Sequence, residues 1–454
     1  MTALHDLTAA EAARLIRAGT VSPVALTDAL LARIERSQPT LRAFVTVDAA
    51  GARAAAQAAE AALHAQADNG TPLGPLHGVP FAAKDIFDAA GLPTSAGYRP
   101  LADQPVAGDA FSVARLKAAG AIVVGKTVTT QFASADPSPT VNPWRADRTP
   151  AGSSSGSGVS VAARLVPFAL GTQTGGSILR PAAYNGAVGL KPTYGRVSRQ
   201  GIVPLAWSLD HAGPITRSVE DAALVLGVIA GHDSRDPQSL KADVRDYLAA
   251  LATRLERPHL GLLPDFLARA EPAVRAHVEG IAQQAAAAGA DVRELRFPCD
   301  IDLLLAVQSI TMQVEGAAVH AAWIARDRTD YSPRIRANVM LGQVLPSWAY
   351  LQAQRLRRRF AAQVEPLLDG IDALLLPTAS NLPPGPDTTG DPSFQAPWSL
   401  LGLPSISLPS GMSEEGLPFA TQLVGRALDE PTLLRAAHWL EQMVGFQAQP
   451  PEAW

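Results

Sequence analysis

Residues 151–189 hold two clusters of small residues, 152–158 and 171–177, separated by a helical stretch and an apolar run. In the second cluster, Gly175-Gly176-Ser177 sets successive backbone N–H groups beside a hydroxyl, with no side chains to obstruct a substrate carbonyl. That composition suits a serine nucleophile and its oxyanion hole. Two other readings fit a Gly/Ser run. One is a flexible linker, but these clusters are short and lead directly into core-like sequence. The other is a phosphate-cradling loop, but neither GxxxxGKS/T nor GxGxxG fits, and no lysine lies between residues 126 and 191.

A serine nucleophile needs a base. The nine histidines are scattered and none lies in either cluster, so a Ser-His-Asp arrangement has no local candidate. Neutral lysine is the alternative, because burial lowers a lysine's pKa. Only five of the 38 basic residues are lysines: Lys84, Lys117, Lys126, Lys191 and Lys241. Arginine keeps its proton at working pH and cannot serve. Lys84 ends the apolar run Val79-Pro80-Phe81-Ala82-Ala83, which makes it a candidate base, although a surface ion pair is the ordinary fate of a lysine.

The elements that must hold these residues follow from periodicity. Residues 7–36 read as two amphipathic helices broken at 19–23, with Thr8 and Glu11 forming a capping box at the first. An alanine-rich helix spans about 49–65. Residues 76–85 read as a turn feeding a short apolar strand, and a helix at 112–119 with a β-run at 121–125 makes an α/β unit. Further helices are expected at 159–165, 219–230, 272–288, 301–327 and 430–443. Strands are expected at 259–263, 371–376, 405–408 and 419–424, an apolar run at 166–170, and a Pro/Gly-rich loop at 380–397. Helices interleaved with apolar strands point to one α/β domain over residues 1–454 around a mixed sheet, with a helical segment to about residue 66 packed on it.

Composition narrows the function classes. A chain of 454 residues, 47% hydrophobic and 18% charged, can bury a sizeable core, and a net charge of −4 leaves no basic footprint for nucleic acid. Cys299 stands alone, which excludes an intramolecular disulfide and a cysteine zinc cluster. The N-terminus lacks a basic region followed by an apolar core, so it does not read as a secretory signal. Apolar runs such as 222–230 fall short of the ~20 residues of a membrane helix. A cytoplasmic protein with neither membrane nor nucleic-acid partner is expected.

The ordered motifs resemble the amidase signature family from the first helices to the last. They are Ala151-Gly152-Ser153-Ser154-Ser155-Gly156, Gly171-Thr172-Gln173-Thr174-Gly175-Gly176-Ser177-Ile178-Leu179-Arg180-Pro181, and His77-Gly78-Val79-Pro80 with Lys84-Asp85. Gly189-Leu190-Lys191-Pro192-Thr193-Tyr194-Gly195-Arg196-Val197-Ser198 and Ser208-Leu209-Asp210-His211-Ala212-Gly213-Pro214-Ile215 add two more blocks. The resemblance implies a large α/β domain with a mixed sheet covered by helices on both faces, and an amidase that needs no cofactor and no metal. It makes Ser177 the nucleophile, Ser153 the bridging serine and Lys84 the base. The Gly152–Ser153 bond is then cis, and the N–H groups of Thr174, Gly175, Gly176 and Ser177 form the oxyanion hole. The substrate implied is a small-molecule amide, and a homodimer is one arrangement open to the chain.

Two positions leave the family's commonest pattern: Gln173 replaces aspartate, and the arginine moves one place along to Arg180. Both are similar to the malonamidase-like branch, as are Thr129-Thr130-Gln131-Phe132-Ala133-Ser134 and Asn142-Pro143. In that branch the arginine three residues past the nucleophile binds a substrate carboxylate, so Arg180 is expected to read an acid group. Gln131 is the second expected substrate contact, with pocket walls at 131–136, 301–315 and 394–401. One alternative within the family is the ammonia-releasing glutaminase component of a tRNA-dependent amidotransferase, its A subunit. Another is a carbamate- or ester-cleaving enzyme. Gln173 and the displaced arginine speak against the amidotransferase reading. The rival from another class is a catalytically dead binding protein.

Overall fold

The computed structural model describes residues 3–69, 72–253 and 255–452. Its strands are β1 (Phe44–Val47), β2 (Pro80–Lys84), β3 (Ile122–Thr127), β4 (Phe168–Gln173), β5 (Val188–Lys191) and β6 (His211–Thr216). Then come β7 (His259–Leu262), β8 (Asp291–Glu294), β9 (Ala373–Pro377), β10 (Ser405–Met412) and β11 (Pro418–Val424). They form one mixed eleven-stranded sheet in the order β1-β3-β2-β4-β6-β5-β10-β11-β9-β7-β8. β2 lies between β3 and β4 and is parallel to both. β6, β5, β10 and β11 continue the sheet in antiparallel pairings.

Side-chain alternation along the strands sorts the core into layers. On β2, Phe81 and Ala83 join a core on one face, while Ala82 joins another on the opposite face. β4 repeats this with Phe168 and Leu170 against Ala169. On β9, Ala373 and Leu375 belong to the first core and Leu374 and Leu376 to a third. The first face therefore carries a core that spans the sheet, while the second carries two separate ones. Lys84, in step with Ala82, and Gln173, in step with Ala169, fall on the second face. The strand order sets buried Gln173, Lys191, Ser405, Ser407 and Gln422 between its two cores. A polar seam runs there, and the motifs that hold Lys84 and Gln173 sit at it.

Helix positions follow the sequence reading closely at the ends of the chain. The helix Ala9–Arg17 starts with the capping box, Thr8 Oγ1 accepting from Glu11 N at 3.2 Å and Glu11 Oε2 from Thr8 N at 2.9 Å. The break at 19–23 precedes the helix Pro23–Leu41, and Ala49–Asn69 and Glu430–Val444 are helical. The N-terminal segment is not purely helical, however: β1 pairs antiparallel with β3 at the sheet edge. Four residues are too few to show a period. Helices at Pro333–Val344 and Ser347–Val364, which the sequence reading did not place, pack against the long helix Ile301–Arg326. Among the described residues no helix is long and apolar enough to cross a membrane.

One boundary moved for an instructive reason. The helix after the first Gly/Ser cluster begins at Ser155, ends at Ala162 and so includes Gly156 and Gly158. A Cβ on Gly156 would lie 2.2 Å from Ala43 O and 2.5 Å from Val128 N. The glycine lets this helix press against the backbone after β3, and that contact overrides its poor helix propensity.

Candidate active site

Lys84 closes β2 with its side chain fully buried. Its Nζ lies 2.7 Å from Ser153 Oγ and 2.8 Å from Thr172 Oγ1, and no carboxylate forms an ion pair with it among the described residues. Burial drives its pKa well below the ordinary lysine value, opposed in part by the charge of Asp210. A buried amine touched only by hydroxyls is a proton acceptor in waiting.

Ser153 stands in the loop before the helix Ser155–Ala162, and the bond joining it to Gly152 is cis. Its carbonyl accepts from Thr130 N at 3.1 Å. The next serines bolt this loop to β4. Ser154 Oγ accepts from Thr172 N and donates to Thr172 O, both at 3.3 Å, and Ser157 Oγ donates to Leu170 O at 2.9 Å. Thr172 is thereby fixed against Lys84.

Ser177 follows β4 across the turn 174–176. It is 8% exposed while Ser153 and Lys84 are at 0%, so it is the member of the three that solvent can reach. Its Oγ has no hydrogen-bond partner among the described residues. The structure thus joins Lys84 to Ser153 directly and leaves the Ser177 hydroxyl unengaged. The N–H groups of Thr174, Gly175, Gly176 and Ser177 likewise donate to nothing among the described residues. Four successive unspent donors beside a free hydroxyl are what a developing oxyanion needs.

The turn is held from behind. Asp210 Oδ1 accepts from Thr174 Oγ1 at 2.6 Å, and Oδ2 from the N–H groups of Leu205 and Ala206 at 2.8 and 3.0 Å. Burial raises its pKa, opposed by those hydrogen bonds. Gln308 Nε2 reaches Thr174 O at 3.4 Å, and Ser399 Oγ donates to Gly175 O at 2.8 Å. Gln173 Oε1 accepts from the N–H groups of Ile178 and Leu179, each at 3.0 Å, while its Nε2 donates to Ser399 Oγ at 3.0 Å. An aspartate here could accept but not donate, so the glutamine fits a site that includes Ser399. Sequence reasoning flagged the block around Asp210 as a motif without a role. Ser399 and Gln308 carried no signal beyond lying in expected pocket walls.

Both expected substrate contacts also bind backbone groups. Gln131 Nε2 donates to Asp330 O at 2.7 Å and Gly97 O at 3.3 Å, and Oε1 accepts from Ser332 N at 2.6 Å. Its amide braces residues 330–332 and Gly97, a structural role beside the substrate contact expected of it. Arg180 Nε donates to Thr389 O at 2.6 Å and NH2 to Gly152 O at 2.9 Å. NH1 is buried without a partner among the described residues, packed close to Gly176. Two of the five guanidinium N–H donors are thus spent on backbone carbonyls, and the NH1 donors are unengaged among the described residues. Among the described residues no group of three or more His, Cys, Asp or Glu could hold a metal ion.

A family model described as Amidase matches residues 25–434. The chain is 37% identical over 494 positions to the A subunit of the glutamyl-tRNA(Gln) amidotransferase of Roseiflexus sp. (strain RS-1), covering 100% of this chain and 99% of that one. A solved structure described as a vestigial protein complex revealing the evolutionary origins of an s-triazine catabolic enzyme superposes with a TM-score of 0.91. It is 31% identical and covers 98% of this chain and 100% of its own. The peptide amidase of Stenotrophomonas maltophilia superposes at 0.83, with 31% identity and 99% coverage of both chains.

Proposed function

This chain belongs to the amidase family, and we propose on that premise that it hydrolyses a carboxamide through Ser177, Ser153 and Lys84. The observation that supports this best is one junction. A buried lysine without a carboxylate partner touches Ser153 Oγ at 2.7 Å, next to a turn whose N–H groups are unspent and whose serine reaches solvent.

Neutral Lys84 takes the proton of Ser153 as Ser153 takes that of Ser177, and Ser177 Oγ attacks the amide carbonyl. The oxyanion forms toward the N–H groups of residues 174–177. The relay then runs backward to protonate the departing amine or ammonia, leaving an acyl-Ser177 ester that water hydrolyses. A fluorophosphonate probe is expected to label wild type at Ser177 and to leave Ser177→Ala unlabelled. Equal labelling of the two would overturn the assignment.

The substrate has two readings. Identity over the full length to the A subunits of amidotransferases favours glutamine as ammonia donor within a larger assembly, ahead of the free-standing small-molecule amidase that the sequence reading put first. Likeness to the peptide amidase favours the free-standing enzyme. Ammonia release by the purified chain separates the two. The amidotransferase component is expected to act on glutamine and to co-purify with partner proteins. A free-standing amidase is expected to turn over other small amides alone and to ignore glutamine.

A further inference from the structure

Arg180 touches three separate loops at once. Its backbone N–H donates to Gly176 O at 3.0 Å, in the turn beside Ser177. Its NH2 donates to the carbonyl of Gly152, the residue joined to Ser153, at 2.9 Å. Its Nε donates to Thr389 O at 2.6 Å, in the 380–395 loop. No ion pair to a carboxylate accompanies these bonds among the described residues, and the side chain is 4% exposed. A buried guanidinium with two nitrogens on carbonyls and NH1 unpartnered among the described residues is costly in stability terms, so its presence calls for another account.

The third nitrogen explains why residue 176 is glycine. A Cβ on Gly176 would lie 2.8 Å from Arg180 NH1 and 2.3 Å from Gln395 Oε1. Arg180 and Gln395 therefore press directly on the Cα of an oxyanion-hole residue. Gly390 makes the same allowance on the other side, where a Cβ would lie 2.9 Å from Arg180 Cδ.

We infer that Arg180 is a positioning residue: its guanidinium clasps the Ser153 loop and the 380–395 loop to the Ser177 turn, and so sets the spacing of the two serines. This rests on the proposed roles of Ser153 and Ser177. It departs from the carboxylate-reading role that the family resemblance implied. A substrate contact would act mainly on KM, and only for substrates that bear an acid. A clasp acts on kcat, and equally for all substrates, because misplacing reacting groups by about 1 Å costs about 100-fold.

The test uses the full chain with Arg180→Lys and Arg180→Ala, each checked for a wild-type circular dichroism spectrum and melting transition. Malonamate and a neutral amide of similar size serve as substrates, and a fluorophosphonate probe reports on Ser177 without either. Arg180→Ala is expected to lower kcat by about 100-fold on both amides with KM within about threefold, and to slow labelling in proportion. Arg180→Lys, able to reach one carbonyl, should recover part of the loss. A rise in KM confined to malonamate, or labelling at the wild-type rate, would overturn the inference. If Arg180→Ala does not fold, Arg180→Lys alone decides by the same two readings. Failure of wild type itself to label would instead strike the proposed nucleophile, leaving the two outcomes distinct.

Discussion

Lys84 and Lys126 stand on the adjacent parallel strands β2 and β3, one residue apart in register, and neither is exposed. Their surroundings differ completely. Lys126 Nζ donates to Asp85 Oδ1 at 2.9 Å, Pro93 O at 2.9 Å and Thr94 Oγ1 at 3.0 Å, so its charge is paired and its three donors are spent. Lys84 has two hydroxyls and no carboxylate. Burial lowers the pKa of both, but Asp85 pulls that of Lys126 back up, whereas only the Asp210 charge opposes the fall at Lys84. Asp85 follows Lys84 in sequence, yet it serves the other lysine, because consecutive side chains leave a strand on opposite faces. Burial alone does not make a lysine a base. Lys84 is the one of the pair that is buried without a carboxylate partner and in contact with a serine hydroxyl, as the proposed base requires.

The largest effect that would break this contrast is an exchange of phenotypes. Lys84→Met is expected to lower kcat by on the order of 10,000-fold while the protein folds normally. Lys126→Met is expected to spare kcat per folded molecule and to cost about 3–5 kcal/mol of stability, because Asp85 is left buried without its partner. Chemical denaturation and active-site titration measure the two. Stability should also part with pH. The folded pKa of Lys84 is depressed, so the unfolded chain binds more protons below the ordinary lysine range. Wild type therefore gains stability relative to Lys84→Met as pH rises through that window and loses it as pH falls. An inactive, unstable Lys84→Met beside a stable, inactive Lys126→Met would reverse the reading.

A second, smaller effect sharpens the electrostatic half. The rise of kcat/KM from acid pH is expected to follow loss of the Lys84 proton. The negative charge of Asp210 raises the Lys84 pKa, so removing it in Asp210→Asn should lower that pKa and move the acid limb toward lower pH. With its amide oxygen accepting from Leu205 and Ala206, asparagine turns its NH2 toward Thr174 Oγ1, which can accept and so keep the turn in place. Full pH profiles of both proteins decide it, and a limb that moves toward alkali would contradict the sign.

What the sequence made legible follows from how local each signal is. The Thr8 capping box and the strand ending at Lys84 are written in a few neighbouring residues, and both stand in the structure. The helical start at Ser155 was not legible, because it depends on Gly156 meeting backbone more than a hundred residues upstream, at Ala43. The sequence reading singled out Lys84 and gave Lys126 no role; that Asp85 pairs with Lys126 and not with its neighbour Lys84 depends on the direction in which Asp85 points. The catalytic candidates came from motifs, but the groups that brace them came from distant segments. Ser399 behind Gly175 and Thr389 against Arg180 are examples. Arg180 was given a substrate role by analogy, and only its partners show where its donors go.

The smallest expected effect tests whether a carboxylate near Lys84 is tolerated, as one is near Lys126. Gln173 follows Thr172, the second partner of Lys84, and is neutral where the family's commonest residue is acidic. Gln173→Glu keeps the acceptor for Ile178 and Leu179, where a negative charge also suits the start of the helix Leu179–Asn185. It removes the N–H donated to Ser399, whose hydroxyl would turn toward the new carboxylate and release Gly175 O. The loss of one such hydrogen bond behind the oxyanion turn should lower kcat by about tenfold. The added charge should raise the Lys84 pKa and move the acid limb of kcat/KM toward alkali, opposite to Asp210→Asn. Profiles of the two variants on one substrate therefore bracket wild type if Lys84 is the titrating base. Two limbs displaced in the same direction would mean that another group controls the rate, and the contrast with Lys126 would lose its catalytic meaning.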